Sequence, residues 1–200
     1  MKHSTLCKIK YALCSMPTTL LFRCKGIKTR GIVFSGGIPF VSKAKGSKMS
    51  FGSNCRFMNW SIGNFMGLNH RCIFATGSQD AQLTVGSNCS FSGVSIWCFE
   101  SITIGKNVRV GANVTIMDGD AHQDDPRSGR NKPIVIDDNV WIGGNVVVKK
   151  GVTIGRNSVI GMNSVVTKDI PANCIAIGNP CVVVKQFDET KINEIENYFK

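Results

Sequence analysis

ITIGKNVRVGANVTI (Ile102–Ile116) and IVIDDNVWIGGNVVVKKGVTIGRNSVIGMNSVVTKDI (Ile134–Ile170) repeat every six residues. Ile104, Val110 and Ile116 keep that spacing, and Ile136, Ile142, Val148, Ile154, Ile160 and Val166 resume it. A small or β-branched residue follows each lead aliphatic by four, as at Val108, Val114, Val140 and Ser158, and the residue before it is usually asparagine. A six-residue period suits neither a helix nor an alternating strand; it marks a β-solenoid. Each hexad supplies a short strand with its aliphatic inward and a corner, where Asn or Gly tolerates positive φ.

Within this region VTIGRNSVIGMNSVVTKDIP (Val152–Pro171), followed by IAIGNP (Ile175–Pro180), resembles the last coils of the hexapeptide-repeat acyltransferases. The resemblance extends over Ile102–Gln186 and is weaker upstream. It implies an all-β chain wound as a left-handed parallel β-helix, three hexads to a coil, assembled as a homotrimer. The repeat by itself indicates only the solenoid.

Upstream, FGSNC (Phe51–Cys55) and VGSNC (Val85–Cys89) echo the hexad, each with a second Phe six residues on, at Phe57 and Phe91. Val85 to Ile104 is nineteen residues, so a slip is expected near Trp97–Ser101; Phe51 to Val85 is thirty-four, two short of six hexads. The expected organisation is a basic N-terminal segment at 1–37, a solenoid at 38–186 with a protruding loop at 117–135, and a short C-terminal helix at 187–200. Asp188 can cap that helix, and its Ile192, Ile195 and Phe199 would close the open end of the solenoid.

Of nine cysteines, Cys55, Cys89 and Cys174 follow Asn in the small inward slot, which makes them packing residues. No Cys-x-x-Cys occurs, and the odd count without framework spacing indicates reduced thiols and a cytoplasmic setting. The start, MKHSTLCKIKYALCSMPTTLLF, shows no clean signal peptide or membrane span.

Charge is uneven. Residues 1–79 hold twelve Lys and Arg and no Asp or Glu, so the net +11 comes from this part. The bland reading is a solvated surface. The sharper one is an anionic partner: a membrane surface, contacted peripherally, a lipid-linked glycan or an acidic polysaccharide. Nucleic acid is not expected, because Phe22, Phe34 and Phe40 lack any nucleic-acid motif spacing.

The period breaks at residue 122, a histidine, and recovers only at Ile136. The interval MDGDAHQDDPRSGRNKPIV is too polar to fill a core coil and must loop out, where function tends to sit. His122 also matches the family's catalytic histidine ahead of the WIG hexad. The implied mechanism is general-base attack of an acceptor hydroxyl on acetyl-CoA, suited to a group that titrates near neutrality. Asp118, Asp120, Asp124, Asp125 or a backbone carbonyl could orient the imidazole. By the same resemblance Trp141, Gly143 and Gly144 line the pantetheine path, Gly161, Met162, Thr167 and Lys168 meet the distal arm and nucleotide, and Lys185 is a second phosphate contact. Two departures stand out. Val182 replaces an arginine of some members, and FSGVSIW (Phe91–Trp97) lacks the asparagine of sugar acetyltransferases, leaving Ser92 or Ser95 to stand in. Asp118 and Asp120 are further substrate-binding candidates.

The arrangement GVSIW, ITIG and D-x-D-x-H resembles acetyltransferases of capsule and other polysaccharide biosynthesis. It implies O-acetylation of a sugar in a surface glycan or its precursor, with N-acylation of an amino sugar as the alternative and a non-catalytic binding solenoid as another. A metal site is not expected, since His3, His70 and His122 have no ligand spacing.

Overall fold

A computed structural model describes residues 5–61, 64–122 and 124–199, with side chains from Tyr11 onward. The chain winds as a left-handed parallel β-helix. Six complete coils each place one strand on three faces, and successive coils pair in parallel. The first face runs from Lys28–Thr29 to Thr153–Ile154, the second from Phe34–Gly36 to Cys174–Ile177, and the third from Phe40–Ser42 to Val165–Val166.

The hexad explains the geometry locally. Ile104, Ile116, Ile136, Ile142, Ile154, Ile160 and Val166 are all buried in one core with the small slots between them. The corners are made by asparagines: among the described residues nine have φ between 57° and 61°. Along the edge between the first and second faces they stack amide on amide from Asn54 through Asn88, Asn107, Asn139 and Asn157 to Asn173, at 2.8–3.1 Å. Asparagine therefore supplies both the left-handed backbone and an inter-coil bond, where glycine could supply only the first. Cys55, Cys89 and Cys174 fill small inward slots and are fully buried.

The early coils are wider and aromatic. Phe51, Phe57, Phe74 and Phe91 occupy inward positions, with ring centroids 4.9–5.9 Å apart along the stack. Phe51 pairs directly with Val85, so their thirty-four-residue separation is one coil carrying a loop, not nearly two coils. That loop leaves after Arg56–Met58 and returns at Ile73–Thr76. Its neck is held by buried Asn59, which accepts from Cys72 N at 2.7 Å and donates to Gly37 O at 2.9 Å. Val85 pairs with Ile104. The register shifts beside Ala112, and the coil regains it through the turn at Phe99–Glu100, where a slip was expected.

The N-terminal end departs from expectation. The solenoid's first strands, Lys28–Thr29 and Phe34–Gly36, fall inside the segment expected to precede it, so its boundary lies nearer 27 than 38. Before them α1 (Thr5–Cys24) covers the open end. A first coil has no preceding strand to accept its backbone N–H groups, and hydroxyls of α1 take that place: Ser35 N donates to Ser15 Oγ and Val33 N to Thr19 Oγ1, both at 3.0 Å. Phe22 of α1 plugs the core at 5.2 Å from Phe51. At the other end, Val182–Gln186 turns back antiparallel on Cys174–Ile177. The C-terminal helix α2 (Glu189–Tyr198) is capped by Asp188 as expected, but none of its residues is buried. Instead of closing the end it lies along the second face, where Arg109 donates to the Tyr198 hydroxyl at 2.8 Å and stands over its ring.

Two adjacent threonines separate structural from incidental hydroxyls. Thr19→Val strands a buried N–H and should cost about 1–3 kcal/mol, whereas Thr18, whose buried hydroxyl has no partner among the described residues, should tolerate valine with no loss. Urea denaturation of both variants checks this; equal losses would remove Thr19 from the capping role.

Candidate active site

The loop carrying His122 leaves the third face after Met117 and rejoins the first at Ile134. Asp118 fixes its departure. This carboxylate is completely buried and accepts from the backbone N of Phe99 (2.6 Å), Glu100 (2.9 Å) and Ser101 (2.7 Å). Those donors lie at the irregular turn between Ser95–Cys98 and Ser101–Ile104. Asp118 thus repairs the slip and anchors the loop at once. It is not available to a substrate or to the His122 ring, which corrects both expectations. Its charge, with burial foremost, pushes the Cys98 thiol up to about 12, so that residue stays a neutral packing group.

Further along, Asp120 pairs with Lys150 of the next coil and accepts from Gly129 N at 3.1 Å. The Lys150 hydrogen bond holds its carboxyl below the usual range. Asp120 is therefore a tether across the loop in this structure. Asp125 closes a turn with Arg127 through contacts of 2.9 and 2.6 Å, which lower the carboxyl and raise the guanidinium. The His122 carbonyl accepts from Asp125 N at 3.2 Å and from the Ser128 hydroxyl. Its backbone is thus held on both sides of the turn, while the exposed imidazole has no hydrogen-bond partner among the described residues. Gly119 has little room: an added Cβ would lie 2.2 Å from Asn131 Oδ1.

The other expected site residues fall on two edges and on the second face. Thr167 and Lys168 are exposed on the edge that bears the His122 loop, two coils on. Gly143, Gly144, Gly161 and Met162 form the edge between the second and third faces. Here a Cβ on Gly143 would come 2.7 Å from Met162 N, and one on Gly161 would come 2.5 Å from Ile177 Cγ2, so these glycines permit close coil stacking. Ser92 and Ser95 flank the same edge lower down, both half-buried. Trp141 projects from the second face, one coil above Arg109, into a cleft of about 320 Å³ whose other wall is Tyr198, Phe199 and Ile195 of α2. Lys185 is exposed on the antiparallel strand beside Ile175. His3 lies outside the described residues, and His70 turns its Nδ1 to Arg71 O at 2.8 Å.

Sequence reasoning missed two elements near these residues. The loop after Met58 climbs the Gly143–Gly144 edge. Asn69 N donates to Asn113 Oδ1 at 2.9 Å, Asn113 Nδ2 donates to Gly67 O at 3.1 Å, and the Met66 methyl reaches the Gly144 surface. The signal was present in the turn-rich NWSIGNFMGLNHR (Asn59–Arg71) and in a thirty-four-residue interval that exceeds one coil. The second miss is the cleft beneath α2, built by Trp141 meeting aromatic residues from fifty positions downstream.

The family model described as bacterial transferase hexapeptide (six repeats) matches residues 133–168, and the hexapeptide repeat of succinyl-transferase matches residues 82–118. The galactoside O-acetyltransferase of Escherichia coli K12 is 44% identical over 104 residues, 50% of this chain and 50% of the relative. That of Lactococcus lactis is 45% identical over 94 residues, 44% of this chain and 45% of the relative. The crystal structure of AntD, an N-acyltransferase from Bacillus cereus in complex with dTDP and 3-hydroxybutyryl-CoA, superposes with a TM-score of 0.65 over 90% of this chain and 94% of that one, at 17% identity, a likeness of fold. The chain is thus similar to hexapeptide-repeat transferases over residues 82–118 and 133–168. It spans about half the length of the galactoside O-acetyltransferases it matches.

Because Asp118 carries three backbone donors, Asp118→Asn should turn an amide donor toward at least one of them and destabilise the fold by about 2–4 kcal/mol. Thermal melting and hydrogen exchange at Phe99–Ser101 would show it. Unchanged protection of those amides would contradict the anchoring role.

Proposed function

We propose that the protein is an acetyl-CoA-dependent O-acetyltransferase acting on a sugar hydroxyl of a surface glycan or its precursor, with His122 as general base. The observation that carries the reading is an imidazole with no hydrogen-bond partner among the described residues, on a loop whose backbone is tied at Asp118, Asp120 and the 122–128 turn. A base held in place but not consumed by an internal partner is free to take a proton from a bound hydroxyl. The hydroxyl oxygen then attacks the thioester carbonyl, the carbon–sulfur bond breaks, and the imidazolium returns its proton to the leaving thiolate. The binding-module alternative gives no reason for such an anchored, exposed histidine.

The donor would run along the glycine edge. Trp141, Gly143, Gly144, Gly161 and Met162 would line its arm, and Thr167, Lys168 and Lys185 would meet its phosphates and nucleotide. Trp141, the glycines and Met162 lie away from the edge that bears His122, so a complete site needs a second chain. A homotrimer meets that need, each cleft combining one chain's His122 edge with its neighbour's glycine edge. A monomer in light scattering would leave the two sets apart and overturn the shared site. The acceptor would bind in the same cleft, where Asp120 beside His122 and Ser92 and Ser95 on the glycine edge are candidates. The acid-free N-terminal region supports peripheral contact with an anionic membrane, which would put the reaction at its cytoplasmic face and suit a lipid-linked acceptor.

His122→Ala should lower turnover by about two to four orders of magnitude with melting unchanged, since the residue is exposed. A screen of glycans and amino sugars with acetyl-CoA, following free CoA and product mass, reads both the acceptor and this variant. Retention of more than a tenth of the activity would exclude His122 as base, and amide rather than ester products would select the N-acyl alternative.

Lys168→Ala and Lys185→Ala should each weaken acetyl-CoA binding roughly tenfold, the scale of one charge-assisted contact. Binding of 3′-dephospho-acetyl-CoA should fall less. Calorimetry showing equal losses for both ligands would remove these lysines from phosphate recognition.

A further inference from the structure

Helix α1 has two unlike faces. Toward the solenoid it turns Ser15, Thr18, Thr19 and Phe22, all buried, with Tyr11 against Gly36. On the opposite side Leu13, Met16, Pro17 and Leu20 follow one another at helical spacing, and Leu13, Met16 and Leu20 are 69%, 62% and 63% exposed. Among the described residues nothing covers this stripe. Met16, Pro17 and Leu20 line a shallow groove that ends at Arg23.

An apolar stripe of this kind takes either another protein surface or the boundary of a bilayer, and charge decides between them. No acid precedes Asp80 in the sequence. Arg23, Lys25, Lys28 and Arg30 are exposed at and just beyond the end of the helix. Two copies meeting through this end would bring like charges together, whereas an anionic lipid surface answers both the charge and the stripe. No described helix is long and apolar enough to cross a membrane, which leaves α1 lying in the interfacial plane. Such helices combine shallow apolar insertion with basic residues at headgroup level.

We infer that α1 is an interfacial membrane anchor: Leu13, Met16 and Leu20 insert among acyl chains while Arg23, Lys25, Lys28 and Arg30 meet anionic headgroups. The inference rests on the peripheral-contact reading above and goes past it, since charge alone requires no insertion. Seated this way, the solenoid stands on the bilayer by its N-terminal end. The hydroxyl ladder from Ser15 and Thr19 to the first coil transmits that attachment to the scaffold.

The test uses the full-length protein and vesicles of phosphatidylcholine alone or with a third phosphatidylglycerol, followed by co-sedimentation at low and high salt. The wild type should bind the anionic vesicles and retain part of that binding in salt. Leu13→Glu/Met16→Glu/Leu20→Glu should lower binding at least tenfold at low salt, with melting and acetyl-CoA binding unchanged because the positions are solvent-facing. Arg23→Gln/Lys25→Gln should leave a weaker binding that responds less steeply to salt. Undiminished binding by the triple variant would overturn the anchor while leaving the electrostatic contact standing. No binding by the wild type at low salt would overturn both. A wild-type mass in light scattering that doubles with concentration, and does not in the triple variant, would give the stripe to a second copy and overturn the anchor.

Discussion

Hydrogen bonds between coils, rather than within them, hold this molecule together. Each strand of the solenoid is two to four residues long and has no partner in its own turn of the chain, so its backbone groups are satisfied by the coils above and below. Everything else follows from keeping those coils in register. The inward aliphatics stack because their strands do, the corner asparagines stack because their φ repeats, and glycine appears where neighbouring coils approach too closely for a side chain. The same constraint creates two ends that would otherwise expose bare ladders. One is closed by helix hydroxyls and a phenylalanine plug, the other by a strand that doubles back.

The loop with His122 shows how a polar element can be built on such a frame. Buried charge is costly unless it is fully hydrogen-bonded, and Asp118 meets that condition with three backbone donors from an irregular turn. Two local irregularities, a slipped coil and an expelled loop, satisfy one another. The result is a histidine displayed on a fixed support.

Much of the fold was legible because the hexad encodes it locally: position in the repeat decides whether a residue is inward, outward or at a corner. Cys55 and Cys89 could be placed by their Asn neighbours alone. What could not be read depended on distant partners. The helical face of α1 was hidden by Pro17 and by hydroxyls at Ser15 and Thr19, which look polar until they meet an unpaired strand edge. Phe51 and Val85 looked almost two coils apart because a loop and a coil are indistinguishable in a residue count. Asp118 was placed with the site because it precedes His122, although its side chain turns the other way. The C-terminal helix carried the right stripe, but Arg109 and Trp141 offered an aromatic seat on the flank that the local pattern does not mention. Of the site, the loop and its histidine were visible, whereas the edges holding the remaining residues emerged only from the coil register.

Coil lengths in this chain are unequal, yet the pairing across them stays aligned: Thr103 still faces Thr84 below and Val135 above although nineteen residues separate one pair and thirty-two the other. A segment expelled at an edge breaks no ladder bond, and doubling its length adds only about 0.6 kcal/mol of closure entropy. The scaffold is therefore a rack with interchangeable slots. Both long loops occupy such slots, on different edges and in different coils. New acceptor specificities can be acquired by lengthening or replacing either loop without renegotiating the core, so divergence in substrate should outrun divergence in fold.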